Sequence, residues 1–277
     1  MLNHKPKLSL EIMPDINFSN QILFNKIQEI NPEFISIARG FDGSNNINEL
    51  IDFCDELQND YNFKVCTHII GRYLKRGTVK NILQQLNEIN VSKILLLRGD
   101  IKDNQINLGD FNYADELISY TKKINYTFEI IAACYPEKHP ESSSLNEDIN
   151  HLKNKINQGV NELITQFLFD NNQLFYFTNK LKENDIDIPI IVGIMPIISY
   201  QQLDNMLSFN QVSLPKNLRI ELEKAKNNPE KIKEIGINYA INQIINLIEN
   251  GFKNIHLYTM NNDKVLNEIW NGIKKYF

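Results

Sequence analysis

Eight times along this chain a short apolar run of strand character is followed by a longer stretch with helical spacing, and this alternation constrains the fold most. The runs are Leu8–Met13, Phe34–Ala38, Lys64–Ile69, Lys93–Leu97, Phe128–Cys134, Glu162–Gln166, Pro189–Gly193 and Asn254–Tyr258. Parallel strands need a crossover of a dozen or more residues, usually a helix, so the alternation predicts βα units. Ile94-Leu95-Leu96-Leu97 is apolar throughout rather than alternating, as a strand buried on both faces requires. Between the runs, Ile22, Leu23, Ile27 and Ile30 form one helical stripe, and Val79, Ile82, Leu83, Leu86 and Ile89 a second, with Thr78 placed to cap it. A third, Ile237, Ile241, Ile244, Ile245 and Ile248, is closed by Gly251. Eight units in 277 residues predict one (βα)8 TIM barrel over the whole chain, close to the roughly 250 residues typical of that fold. Gln211 to Pro229 is surplus to the eight-fold plan and is expected to form an extra helix between strands seven and eight. A doubly wound sheet would want a Gly-x-Gly-x-x-Gly turn after an early strand, and the sequence has none.

Charge and composition narrow the function. With 29 Lys and Arg against 34 Asp and Glu the net charge is −5, which offers no field for a nucleic-acid backbone. The longest apolar run, Ile188–Ile198, is interrupted by Pro189, Gly193 and Pro196 and falls short of the roughly 20 residues a membrane helix needs. The first residues carry positive charge without a following apolar segment, so a cytoplasmic location is expected. Cys54, Cys66 and Cys134 are odd in number and far apart, the pattern of reduced, buried thiols. His68, His139, His151 and His256 come from different units without metal-ligand spacing, so no metal site is expected. No Ser, Cys or Lys stands where covalent catalysis would need it.

In such barrels the C-terminal strand ends build the active site. Glu11 interrupts the first strand, where a carboxylate is costly unless paired, protonated or facing a wet cavity. His68 closes strand three, and Arg98-Gly99-Asp100 follows the most apolar strand, with Gly99 allowing close backbone approach to a ligand. Tyr135 and His139 follow strand five, and Gln166 ends strand six. Acids, an amide, aromatics and cations on one rim suit a planar heteroaromatic cofactor and substrate.

These residues belong to nine segments through which the chain resembles the methylenetetrahydrofolate reductase family. They are Leu8-Ser-Leu-Glu11 with Pro14, Phe34-Ile-Ser36 with Gly40, His68, Leu97-Arg-Gly-Asp100, Tyr135-Pro-Glu-x-His-Pro-Glu141, Asp148 with Leu152 and Lys155, Ile164-Thr-Gln166 with Phe169-Asp170, Gly193-Ile-Met-Pro196, and His256-x-Tyr-Thr-x-Asn261. The resemblance implies a FAD-dependent barrel in which NADH or NADPH reduces the flavin and leaves. Methylenetetrahydrofolate then enters the same pocket and takes the hydride, a ping-pong order. It implies Glu11 as the general acid that opens the five-membered ring to an iminium, and Asp100 as the carboxylate beside flavin and pterin. Gln166, Gln202 and Tyr258 would be substrate-pocket residues. His68, Arg98, Gly99, Asp100, Tyr135, His139, Asp148, His151 and Lys155 would be cofactor-binding positions. A homo-oligomer is also expected.

Several positions depart from the family pattern: Ala38-Arg39 for Thr-Tyr, Ile69-Ile70 for Leu-Thr, His151 and Asn154 for Asn and Arg, Met206 for an aromatic, and Asn262 for an Arg. Two other readings therefore stand beside the first. One is the same enzyme drawing electrons from a partner protein, and the other is a folate-binding barrel without catalysis.

Overall fold

The computed structural model describes residues 5–14, 21–41, 46–100, 109–209 and 212–277. Eight parallel strands close into a barrel in chain order: β1 (Lys7–Ile12), β2 (Ile35–Phe41), β3 (Val65–Ile70), β4 (Lys93–Leu97), β5 (Glu129–Cys134), β6 (Glu162–Thr165), β7 (Ile190–Ile194) and β8 (Asn254–Tyr258). β8 pairs with β1 from Lys7 opposite Asn254 to Glu11 opposite Tyr258, which completes the closure and leaves no open edge. The expected (βα)8 architecture is the one observed, and strands four and eight have the expected ends.

Side chains alternate across the barrel wall. Outward residues such as Leu10, Ile35, Ile94 and Ile255 join the main core beneath the helices. Inward residues Phe34, Cys66, Leu95, Ile131, Ile164 and Ile191 form a separate apolar plug inside the barrel. Below the plug, Lys93 pairs with Glu162 and with Glu129 at 2.9 Å and lies over the Phe34 ring, so the N-terminal end is closed by ion pairs. Above it the inner surface turns polar at the C-terminal strand ends.

The helices show where local signals held and where packing overrode them. The long helix α9 (Pro229–Glu249) ends as expected, because Gly251 takes φ +91° and the Gly251 and Phe252 amides bond back to Ile248 and Leu247. Thr78 does not cap α3 (Arg76–Glu88), which begins two residues earlier without a side-chain cap. Asp110, brought in from the loop after β4, instead accepts from the Arg76 amide at 2.9 Å and pairs with Lys75 at 3.2 Å. A tertiary carboxylate at the positive end of the helix replaces the local hydroxyl.

The extra helix expected before β8 is observed, and a second one precedes it. α7 (Tyr200–Phe209) follows β7 directly, and α8 (Lys216–Lys224) lies inside the stretch expected to be helical, of which Gln211 is outside the described residues. Pro215 at the N-cap of α8 and Pro229 at the start of α9 punctuate the three helices. Leu203, Met206, Leu218 and Leu222 of the added pair bury against Phe167, Phe169 and Ile197 in a second core beside the β6 and β7 ends.

No described helix is long and apolar enough to cross a membrane. All three cysteines are free and buried, and burial pushes the Cys54 and Cys134 thiols up to about 12, which makes them poor nucleophiles.

Candidate active site at the barrel mouth

The strand register sets Glu11 opposite Ser36 on one side and Tyr258 on the other. Its carboxylate is 19% exposed and reaches two imidazoles, with Oε2 3.8 Å from His68 Nε2 and 4.0 Å from His256 Nε2. Behind it, Thr259 Oγ1 donates to the Glu11 carbonyl at 2.6 Å. Asn261 both donates to and accepts from the Met13 backbone at 2.9 Å, so the end of β1 is tied to the end of β8. The acid therefore sits on a braced strand end, not on a loop.

His68 is 7% exposed, and its Nε2 contacts Ser36 Oγ at 2.7 Å. Burial lowers its pKa below the usual 6.5, with Glu11 opposing the shift and His256 adding to it. The folded state thus holds this ring neutral, whereas the unfolded chain takes up a proton near 6.5. Stability from His68 is present above that pH and is lost as pH falls through the depressed folded value. His139, lowered by burial and by Arg98, acts in the same direction. Thermal melts between pH 8 and 5 are expected to fall on the acid side, and His68→Gln should flatten that fall; an unchanged slope would remove His68 from it.

A second group gathers at the ends of β4 and β5. Arg98 makes a two-pronged pair with Glu141 at 2.5 and 2.6 Å. Gly99 has φ +88°, and a Cβ there would stand 2.3 Å from Ile70, so the turn demands glycine on both counts. Asp100 is exposed, and its carbonyl accepts from the Tyr73 hydroxyl at 2.7 Å. Tyr135 lies edge-on to His139 at 4.7 Å, its pKa pushed up to about 12 by burial and by Asp100 and Asp148. Asp148, on α5 (Leu145–Asn157), accepts from the His139 amide at 3.0 Å and from Ser142 Oγ at 3.4 Å, fastening the loop after β5. Lys155 on the same helix donates to the Ala133 carbonyl at 2.9 Å, and burial lowers its pKa against the pull of Asp148. His151 and Asn154 are exposed on that helix.

On the β6 and β7 side, Gln166 Oε1 accepts from the Phe167 amide at 3.0 Å. Gln166 lines a groove of about 290 Å³, open to solvent, with Tyr135, Pro136, Phe167 and Val212. Gln202 is engaged at both ends of its amide, accepting from Ile198 N at 2.8 Å and donating to the Pro196 carbonyl at 3.2 Å. It staples the loop after β7. Tyr258 donates to the Thr165 carbonyl at 3.1 Å, and burial, with Glu11 adding, raises its pKa well above 10, so it is a neutral phenol. Met206 is 6% exposed in the second core, and Asn262 caps α10 (Asp263–Ile273) by accepting from Val265 N at 3.0 Å.

Two residues that sequence reasoning assigned no role stand among these groups. His256 is fully buried, with Nδ1 2.8 Å from Ser9 Oγ and Nε2 without a hydrogen-bond partner. Its signal was the period of two on β8, which puts His256 and Tyr258 on one face. Arg72 lies in the turn after β3, its amide donating to the Arg98 carbonyl at 3.0 Å and its Nε buried without a partner. The family segments do not include Arg72, so no motif pointed to it.

A profile of the methylenetetrahydrofolate reductase family matches residues 3–274. This chain belongs to that family. A 5,10-methylenetetrahydrofolate reductase of Buchnera aphidicola is 32% identical over 274 residues, covering 97% of this chain and 92% of its own. Methylenetetrahydrofolate reductase 1 of Schizosaccharomyces pombe is 28% identical over 265 residues. The chain spans 44% of the length of that fungal relative. Among solved structures, a protein of Clostridium thermocellum that binds two copies of 5-methyl-5,6,7,8-tetrahydrofolic acid superposes with TM-score 0.66 over 99% of this chain and 96% of that one. At 14% identity that likeness speaks for the barrel fold alone. The residues expected at the site, two as catalytic (Glu11, Asp100) and the others as binding positions, divide between the barrel interior (Glu11, His68, Tyr258) and the β4–β5 lip (Arg98, Gly99, Asp100, Tyr135, His139).

Proposed function

We propose that this chain reduces 5,10-methylenetetrahydrofolate to 5-methyltetrahydrofolate with hydride from NADH or NADPH passed through FAD. The observation that carries the reading is Glu11, a carboxylate inside a barrel mouth and flanked by two imidazoles, in a member of this reductase family.

The lip residues fit a phosphate-bearing flavin. Arg72, whose amide bonds the Arg98 carbonyl, has a buried Nε without a partner, and the charges of Arg72 and Arg98 both act on Glu141, so an anion would find cationic donors on this lip. His68, Arg98, Gly99, Asp100, Tyr135, His139, Asp148, His151 and Lys155 would hold the cofactor, with Arg72 added to the phosphate side. Bound there, FAD would supply two-electron hydride transfer between nicotinamide and folate.

The chain's own residues do the rest. Reduction takes one hydride and one proton, and Glu11 delivers the proton to the folate nitrogen that leaves when the five-membered ring opens. The opened ring is an iminium cation, and Asp100 favours it by fixed negative charge at the mouth, set before the reaction begins. Gln166, its carboxamide oxygen held by the Phe167 amide, presents a fixed amide plane to two successive ring systems. Tyr258 keeps its hydroxyl hydrogen on the Thr165 carbonyl and stands opposite Glu11 in the β1–β8 register. Gln202 acts through the Pro196–Ile198 loop that it staples.

Purified protein saturated with FAD is expected to show flavin absorbance. Anaerobic mixing with NADH or NADPH should bleach it, and methylenetetrahydrofolate should restore it with 5-methyltetrahydrofolate as product. Failure to take up FAD, or a reduced flavin that the folate leaves reduced, would overturn the proposal.

A further inference from the structure

Asp100 is exposed, and among the described residues no hydrogen bond or ion pair holds its carboxylate. A side chain free to turn spreads its charge over several positions, whereas electrostatic stabilisation needs the charge in place before the reaction begins. The order lies instead in the backbone beneath it. Three successive carbonyls each receive a donor: the Arg98 carbonyl accepts from the Arg72 amide at 3.0 Å, the Gly99 carbonyl from Arg98 Nε at 3.3 Å, and the Asp100 carbonyl from the Tyr73 hydroxyl at 2.7 Å. Because a peptide unit is planar, a donor that holds the carbonyl holds the whole plane. The planes before and after the Asp100 Cα are therefore both held, and together they set the direction of its Cα–Cβ bond. Among the described residues, the donor to the plane after it is Tyr73.

The residues that give these donors are themselves fixed. Gly71–Tyr73 is a single short helical turn directly after β3, closed by the Leu74 amide on the Gly71 carbonyl at 3.0 Å. Gly71 is buried, and a Cβ on it would meet Phe111 and Leu117 at 3.2 Å. Where the chain comes back from the connection after β4, the Gly109 amide donates to the Arg72 carbonyl at 2.6 Å and the Asp110 amide to the Leu74 carbonyl at 2.9 Å. A Cβ on Gly109 would stand 2.3 Å from that Leu74 carbonyl, so the two backbones are in direct contact. One turn thus grips the chain both as it leaves β4, at residues 98–100, and as it returns, at residues 109 and 110. Tyr73 is half-buried, so its hydroxyl reaches Asp100 from a braced base.

We propose that Tyr73 is a positioning residue for Asp100: by holding the peptide plane after it, the phenol fixes where the carboxylate stands at the barrel mouth. This rests on the reading of Asp100 as the charge that favours the iminium. The role is exercised through the backbone, not by contact with folate or flavin. Phenylalanine keeps the ring and its packing and loses only the donor, so Tyr73→Phe isolates the bond.

In FAD-saturated protein, Tyr73→Phe is expected to slow the folate half-reaction about five-fold, the scale of one hydrogen bond. Reduction of the flavin by nicotinamide should change less. The deciding readout is coupling to Asp100. Asp100→Asn removes the charge to be aimed, so adding Tyr73→Phe to it should slow the folate step further by less than about two-fold. Single losses that multiply in the double variant would show that Tyr73 acts apart from Asp100, and would overturn the proposal. So would a folate step that Tyr73→Phe leaves unchanged, or equal losses in both half-reactions. A second measurement needs no folate. The carbonyl carbon-13 resonance of residue 100 should move upfield when Tyr73→Phe takes away its donor; an unmoved resonance would show that the hydroxyl does not hold that carbonyl. A wild-type protein that never reduces folate, in which Tyr73→Phe still moves this resonance, would sink the reading of function and the positioning role with it while leaving the hydrogen bond standing.

Discussion

Glu11→Gln is expected to leave flavin reduction by the nicotinamide within a few-fold of wild type and to slow folate reduction by roughly 10²–10⁴-fold, the usual contribution of a general acid. The amide keeps the shape of the carboxyl group, so Thr259 still bonds the residue-11 carbonyl and Asn261 still braces Met13. It has no acidic hydrogen to give. The loss therefore belongs to the one half-reaction in which a ring nitrogen must be protonated. Stopped-flow measurement of the two half-reactions separately is the check, and losses of similar size in both would show that Glu11 holds the cofactor pocket together instead of supplying a proton.

How much of this was legible in the sequence depends on how local each signal is. The eight strands were readable because a strand buried on both faces is apolar throughout, and because each is followed by a helical stripe of the right length. Strands four and eight are even bounded as expected, since Lys93 and Asn254 mark where the apolar run meets the lower rim. Glu11 stood out because an acid in an apolar strand needs a reason, and its place in the register was fixed once closure of β8 on β1 was known. Thr78 was misread because its hydroxyl competes with a carboxylate, Asp110, that arrives from 32 residues later in the chain. The extra helix expected in Gln211–Pro229 is α8, whereas α7 went unread because its short stripe Leu203, Met206 is weak on its own and serves a local second core. Gln202 and Asn262 entered through the family resemblance alone, and their bonds to backbone groups, as loop staple and helix cap, were not readable from the sequence. His256 stood in a family segment and Arg72 in none, yet neither drew a role, since an unsatisfied nitrogen exists only once the surrounding partners are in place.

The division of the site into a barrel-interior acid and a cationic lip has a structural logic. Residues on strands are held by ladder bonds on both sides, which suits a proton donor that must keep sub-ångström geometry. Residues just after the strands lie on loops, where Arg98 and His139 are held through Glu141 and, from helix α5, by Asp148 on the His139 amide. Such a lip can readjust Arg98 from Glu141 to a phosphate at the cost of one exposed ion pair, worth little in water. The acid cannot move that way, since both neighbouring strands fix its position.

Gly193→Ala is expected to lower the melting temperature by roughly 2–12 °C, because the missing side chain at this point of β7 is the slot in which Tyr258 lies. A Cβ on residue 193 would stand 2.7 Å from the Thr165 carbonyl and 2.8 Å from the Tyr258 ring, both below the separations that real Cβ atoms tolerate. The same three residues are already bonded to one another, with Gly193 N donating to Thr165 Oγ1 at 2.9 Å and Tyr258 donating to Thr165 O at 3.1 Å. The clash can be relieved by expelling the phenol or by spreading β6 from β7, a pair with only two register contacts, Leu163 to Ile190 and Ile164 to Ile191. Overpacking of this kind costs about 1–3 kcal/mol, and in a chain of this size each kcal/mol moves the midpoint by about 2–4 °C. Tyr258→Phe, which removes only one hydrogen bond, should cost about 1 kcal/mol and serves as the comparison. The double variant Gly193→Ala with Tyr258→Ala separates the two routes. If the ring is the obstacle, the double variant loses less than the two single losses added together; if the Thr165 carbonyl is the obstacle, the losses add. A Gly193→Ala protein that melts with wild type would show that the β6–β7 seam yields freely, and that Tyr258 is not held against Glu11 by the packing described.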